Sequence, residues 1–250
     1  MKKITLLLLV TISLNANAQS LIGGDNILKT SITSDALKNF NLTYERSLNH
    51  FISISASYRT MPKGPIPLKS LAEKFIDNPN INFDNFQIGN NAITLESRFY
   101  LGLQKMSGFY IAPYVRSANF DLTVPVTYTY QPAAVLGINP PAVTASAKVE
   151  GTIRSQAYGA YVGVQFQLLT KLVLDIWIAG GSYGSSNGKL TAPSDNLPAP
   201  AVNALQKVLD QTNAKPFTLK STVTSTGAVV DTQGPWAGFK GLGLSLGLRF

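Results

Sequence analysis

Very few side chains in this 250-residue chain could do chemistry: there is one histidine, His50, and no cysteine. Ser and Asp are plentiful, but a serine nucleophile needs a base beside it, and His50 stands in a tight Asn49-His50 gap between two patterned segments. Neither a second His nor a Cys is present to share a metal with it. Two glycine-rich runs, LIGGDN (Leu21–Asn26) and IAGGSYGSSNGK (Ile178–Lys189), lack phosphate-loop spacing, and no helical pattern follows either. The expectation is therefore a non-catalytic protein with no catalytic, cofactor-binding or metal-binding residues. One charged set remains. Glu45, Glu96, Arg98, Arg116 and Asp175 each lie on the polar side of an alternating segment, where acids and bases on facing strands could pair.

The segments that must carry them have a period of two, the signature of β-strands with one apolar face. They are Asn26–Thr33, Asn39–Leu48, Phe51–Arg59, Asn91–Leu101, Phe109 to about Arg116, Gln156–Leu168, Leu172–Gly180 and the tail Gly241–Phe250. The tail GLGLSLGLRF sets Leu242, Leu244, Leu246, Leu248 and Phe250 against Gly241, Gly243, Ser245, Gly247 and Arg249. Glycines along one face imply that something large comes close on that side. By itself this strand suits an inner strand of a soluble sandwich as well as a strand in lipid.

The gaps separate these two readings. They are tight after the second, fourth and sixth segments and long after the third, fifth and seventh, over 60–90, 117–155 and 181–238. Short turns at one end and long loops at the other are the pattern of a barrel in an outer membrane, and segments of about ten residues suit tilted spanning strands. Composition agrees: 45% of residues are hydrophobic and 14% charged, whereas soluble domains carry about 25% charged residues. MKKITLLLLVTISLNANAQS reads as a signal peptide over 1–18, with Lys2 and Lys3, a short apolar core and the Ala16-Asn17-Ala18 cleavage pattern, leaving 19–250 as the mature barrel. Removal of the two lysines takes the net charge from +8 to +6, too modest an excess to suggest nucleic acid as a partner. If the tight turns face the periplasm, outward Phe99, Phe109, Phe166 and Phe250 form one aromatic rim and Phe40, Tyr58 and Tyr158 the other.

The tail, through Leu244, Leu246, Leu248 and Phe250, resembles the C-terminal signature of bacterial outer-membrane proteins, a last alternating strand ending on Phe. The mature chain looks like a small barrel of the OmpA/OmpX/OmpW type, and NLTYERSLNHFISISASYR and ESRFYLGLQKMSGFYIAPYVR look like paired strands of such barrels. The resemblance is at the level of the fold. It implies an all-β protein, an eight-stranded antiparallel transmembrane up-and-down β-barrel with long external loops, in the bacterial outer membrane. It also implies outer-membrane lipid and the barrel-assembly machinery as partners, the latter reading the four tail residues.

An eight-stranded barrel has an interior that side chains can fill. The polar faces place Glu45, Glu96, Arg98, Tyr110, Tyr114, Arg116, Tyr161, Asp175, Trp177 and Arg249 there, opposite small residues such as Gly159, Gly163, Gly243 and Gly247. Pro113 cannot donate to a ladder, so a bulge or a lost hydrogen bond is expected beside it. The apolar parity reverses after Arg116, to Phe120, Leu122, Val124 and Val126, which predicts a bulge near Ser117–Asn119. Helical spacing marks Pro67–Ile76 and Pro200–Leu209 within the long loops. The loop 117–155 continues its alternation on both arms, so it should project as a hairpin with Ala133–Val143 at its tip and offer a surface to an external partner. Two functions follow: loops that bind a partner or stabilise the envelope, or a narrow conduit for small, hydrophobic solutes.

Overall fold

The alternating segments all become strands. In the computed structural model, which describes residues 24–65, 79–102, 104–134 and 136–250, they are β1 (Asn26–Ser31), β2 (Phe40–Ser47), β3 (Ile52–Pro65), β4 (Gln87–Tyr100), β5 (Gly108–Tyr130), β6 (Val143–Gln167), β7 (Leu172–Pro193) and β10 (Gly243–Arg249). The segment 1–18 and the helical stretch expected at 67–76 lie outside the described residues. Each of the first seven strands pairs antiparallel with the next, and β10 pairs with both β7 and β1, closing a ring of eight strands.

The stretch 181–238 is not one long loop. β7 runs on to Pro193, followed by the helix α2 (Ala199–Asp210) and the hairpin β8 (Thr218–Thr224) and β9 (Gly227–Lys240). β9 continues the line of β10 along β7: Trp177 opposes Gly243 and Gly180 opposes Lys240. Together they form one long strand interrupted at Gly241–Leu242. A single-turn helix, α1 (Ile32–Ala36), follows β1, its N-terminal Ser34 amide held by the Ser31 hydroxyl at 3.3 Å. α2 starts with Pro198 at its N-cap and Pro within its first turn, where a missing N–H costs nothing.

Along the strands the molecule turns inside out. Near the short turns the outer surface is apolar and exposed, with Leu42, Ile54, Ile93, Leu95, Ile111 and Val162 on it, while Lys29, Glu45, Arg98 and Asp175 are buried inside. Farther along the same strands the inside is apolar. Phe86, Leu122, Val126, Val149, Leu190 and Val230 form a core with Ala201, Leu205 and Leu209 of α2. The outward Asn119, Thr129, Arg154 and Asp231 in this half are exposed.

This inversion corrects the expected bulge at Ser117–Asn119. The pairing of β5 with β4 and with β6 passes through these residues without a shift: Arg116 opposes Thr94 and Ala157, and Phe120 opposes Asn90 and Ile153. Tyr114, Ala118, Leu122 and Val126 all face inward. The pleat is unbroken, and the apolar parity reverses because the surroundings of each face change. At Pro113 the β4–β5 ladder omits the rungs between Glu96–Tyr114 and Phe99–Ile111 yet resumes in the same register, so a hydrogen bond is lost without a bulge. The bulge that does occur near the ring is in β7. Val162 opposes Ala179 and Gly163 opposes Trp177, leaving Ile178 as the extra residue. Inward residues switch there from Val173 and Asp175 to Ser186, Leu190 and Ala192.

Candidate functional site

The tail's glycines are explained by what leans on them. A Cβ on Gly243 would lie 2.0 Å from the Trp177 indole, and one on Gly247 would lie 2.4 Å from the Lys29 stem. Those two side chains lead into the ring's interior.

Lys29, from β1, sits at the centre of a buried cluster. Its ammonium donates to Glu45 at 2.5 Å, to Asp175 at 2.8 Å and to Gln165 at 2.8 Å. Arg98, from β4, donates to Asp175 at 2.7 Å and to Glu96 at 3.1 Å, and lies 3.4 Å from Glu45. Three tyrosines complete it. Tyr100 donates to Glu45 at 2.6 Å, Tyr110 to Asp175 at 2.6 Å and Tyr161 to Glu96 at 2.7 Å. The Arg98 guanidinium also stands 4.6 Å from the Tyr110 ring centroid. Lys29, Glu45, Asp175, Arg98, Tyr110 and Tyr161 are each at most 3% exposed. Charges withdrawn from water this far are tolerable only when paired and hydrogen-bonded, and each of these is.

The residues singled out from the sequence therefore divide. Glu45, Glu96, Arg98 and Asp175 come together. Arg116 does not join them: its Nε donates to the Thr94 hydroxyl at 3.0 Å, and its guanidinium lies 5.4 Å from the Tyr114 ring centroid. Lys29, Tyr100, Gln165 and Lys240 were missed. Lys29 and Tyr100 do share the polar parity of their segments. So does Gln165, whereas Lys240 stands outside the alternating segments and depends on cross-strand register that no local pattern carries. Arg249 lies at the short-turn end and donates to the Gly24 carbonyl at 2.6 Å and to Gln167 at 2.8 Å. His50 packs edge-on against Phe51 in the turn between β2 and β3.

Two cavities stack beyond the cluster. The nearer, about 380 Å³, is polar and lined by Arg59, Arg116, Lys240, Ser57, Thr94 and Trp177 among others. The farther, about 700 Å³, lies in the outer half and is walled mainly by apolar side chains, including Phe86, Phe120, Leu122, Val126, Leu190 and Trp236. Outside the ring, Leu244 and Leu246 are half-buried and Leu248 is exposed. Phe250 exchanges backbone hydrogen bonds of 2.9 and 3.1 Å with Asn26 at the seam of the ring.

The β5–β6 hairpin keeps its pairing out to Tyr130 opposite Val143. It is not a free mast. β4 flanks it as far as Thr123, β7 as far as Glu150, and Ile81 bridges to Val126. Its tip is bare, with Leu136 95% and Ile138 71% exposed.

No protein-family model matches the chain, and no curated protein matches it.

Proposed function

We propose that the ring is a transmembrane β-barrel of the bacterial outer membrane, non-catalytic, with a closed bore and an outer half that binds a small apolar ligand. The observation that carries this reading is the apolar chamber of about 700 Å³ beyond a ring interior filled by the paired cluster. Its volume falls within the range typical of small-molecule sites, and its walls are mostly apolar with a few polar groups. The outward leucines and isoleucines near the short turns support membrane insertion, as do the exposed Phe99, Phe109 and Phe166 at one rim and Phe40, Tyr58 and Tyr158 at the other. β5, with 23 residues, is far longer than the ~10 a spanning strand needs. The surplus builds the chamber. The bare tip around Leu136 and Ile138 is the surface offered to an external partner, and Phe250 the residue offered to the assembly machinery.

A conduit needs an open path, and the cluster stands across it. The test uses protein refolded in lipid. A neutral hydrophobic fluorophore should bind wild type and lose affinity about tenfold when Leu122→Arg brings a charge into the chamber, and planar bilayers should show no steady conductance. Stable conductance with no dye binding would replace this reading by the conduit.

A further inference from the structure

Between the paired cluster and the apolar chamber lies a layer in which cations outnumber acids. Among the described residues, the charged groups inside the ring are five cations, Lys29, Arg59, Arg98, Arg116 and Lys240, and three carboxylates, Glu45, Glu96 and Asp175, a formal excess of 5 − 3 = +2. Lys29 and Arg98 occupy the carboxylates at 2.5 to 3.4 Å. Lys240 reaches Glu96 only at 3.9 Å and otherwise rests on aromatic faces, 3.4 Å from the Tyr161 centroid and 4.7 Å from that of Trp177. Among the described residues, neither Arg59 nor Arg116 has a carboxylate within ion-pair distance. Their hydrogen-bond partners are neutral oxygens, Asn90 at 3.3 Å for Arg59 and Thr94 at 3.0 Å for Arg116. The Arg59 Nε is buried and has no hydrogen-bond partner among the described residues.

The strands bring these groups to one space. β4 runs between β3 and β5, and its small Ala92 and Thr94 oppose Arg59 and Arg116 respectively. Both guanidiniums and the Lys240 ammonium line the polar cavity of about 380 Å³, and the two carboxylates that also line it, Glu96 and Asp175, are already held by Lys29 and Arg98. Like charges gathered in an enclosed site destabilise it unless a counter-charge is present. A guanidinium presents a planar fork of donors that suits two oxygens of one anion. We propose that this cavity is an oxyanion site, taking a phosphate or carboxylate group between Arg59 and Arg116 with Lys240 as the third cation.

Two sources could supply that group: a free oxyanion, or the head of a single-chain amphiphile. The strands lead from this cavity toward the apolar chamber, from Arg116 to Phe120 and Leu122 on β5 and from Lys240 to Trp236 on β9. A chain attached to the anion would have apolar walls ahead of it. Inorganic phosphate and hexyl phosphate serve as the two probes.

The experiment is calorimetric titration of the mature protein, folded in a neutral detergent at low salt, with each probe in turn. Wild type should bind, and R59Q/R116Q should weaken binding at least tenfold. Thermal unfolding adds a control that a merely structural role would not satisfy. Without ligand the double variant should melt no lower than wild type, because the excess charge is gone, and phosphate should raise the melting temperature of wild type alone. K240M supplies a second variant that should weaken binding if the double variant fails to fold. Equal affinity for the two probes assigns a free oxyanion, and tighter binding of hexyl phosphate assigns the amphiphile. Either supports the site. Binding of neither probe by wild type, or undiminished binding by the variants, overturns it.

Discussion

Lys29 touches both Glu45 and Asp175, so its removal leaves two buried carboxylates with Arg98 as their one remaining cation among the described residues. Stranding a buried charge costs about 3–5 kcal/mol. Lys29→Met should therefore lower stability by about that amount, read from the urea midpoint of the heat-modifiable gel shift. K29M/E45M should lose less, because the second change removes one of the stranded charges. Equal losses in the two variants would mean that packing at Lys29, and not its charge, supports the ring. The residue's parity on β1 was visible in the sequence, with Lys29 and Ser31 on one side and Leu28 on the other. Its partnership was not, because Gln165 and Asp175 are 136 and 146 positions away. Phe250 poses a separate residue-level test. Deleting it removes two backbone hydrogen bonds to Asn26, a net loss of about 1 kcal/mol each. Refolded protein should tolerate that, while insertion in cells should fall much further if the assembly machinery reads the residue. Comparable losses in the two assays would remove the recognition role.

The strands were readable over the ring because there each face meets one kind of surroundings, and a period of two then stands out. β8 and β9 were not readable for the converse reason. β9 carries Gly227, Gly234, Pro235 and Gly238, and its pattern crosses from the apolar chamber to the polar ring within one strand. The same crossing misled the reading of β5, where a change of surroundings after Arg116 resembled a bulge. The true bulge at Ile178 left no trace in LVLDIWIAGG, because Trp177, Ile178 and Ala179 suit either face. α2 was readable from Leu205 and Leu209, which bury one face against the outer half. Its removal from that core is testable. Leu205→Ala should cost about 2–5 kcal/mol locally. Protease should then cut the outer half more readily while the ring keeps its heat-modifiable mobility. Simultaneous loss of both would show that the outer half and the ring unfold as one unit.

The whole molecule combines a ring that is polar inside and apolar outside with an outer half of the reverse kind, on the same continuous strands. Water on all sides gives no reason for the first arrangement. The proposed bilayer around the short-turn end, with water above it, would account for both halves, and β5 lets the two be compared on neighbouring strands in unbroken register. Leu95 of β4 is 54% exposed, between the rim marked by Phe99 and the one marked by Tyr58. Asn119 of β5 is exposed just beyond Arg116. If lipid surrounds the first, Leu95→Arg should lose about 2–4 kcal/mol in unfolding from lipid vesicles, the cost of arginine at the midplane of a barrel's lipid face. Asn119→Arg should stay within about 0.5 kcal/mol, as an exposed substitution in water does. Moving the same pair into a neutral detergent whose apolar layer adapts to the protein should narrow the difference. A Leu95→Arg variant that unfolds from vesicles at the wild-type urea concentration would mean that this apolar belt does not lie in lipid, and the outward leucines would then call for a protein partner.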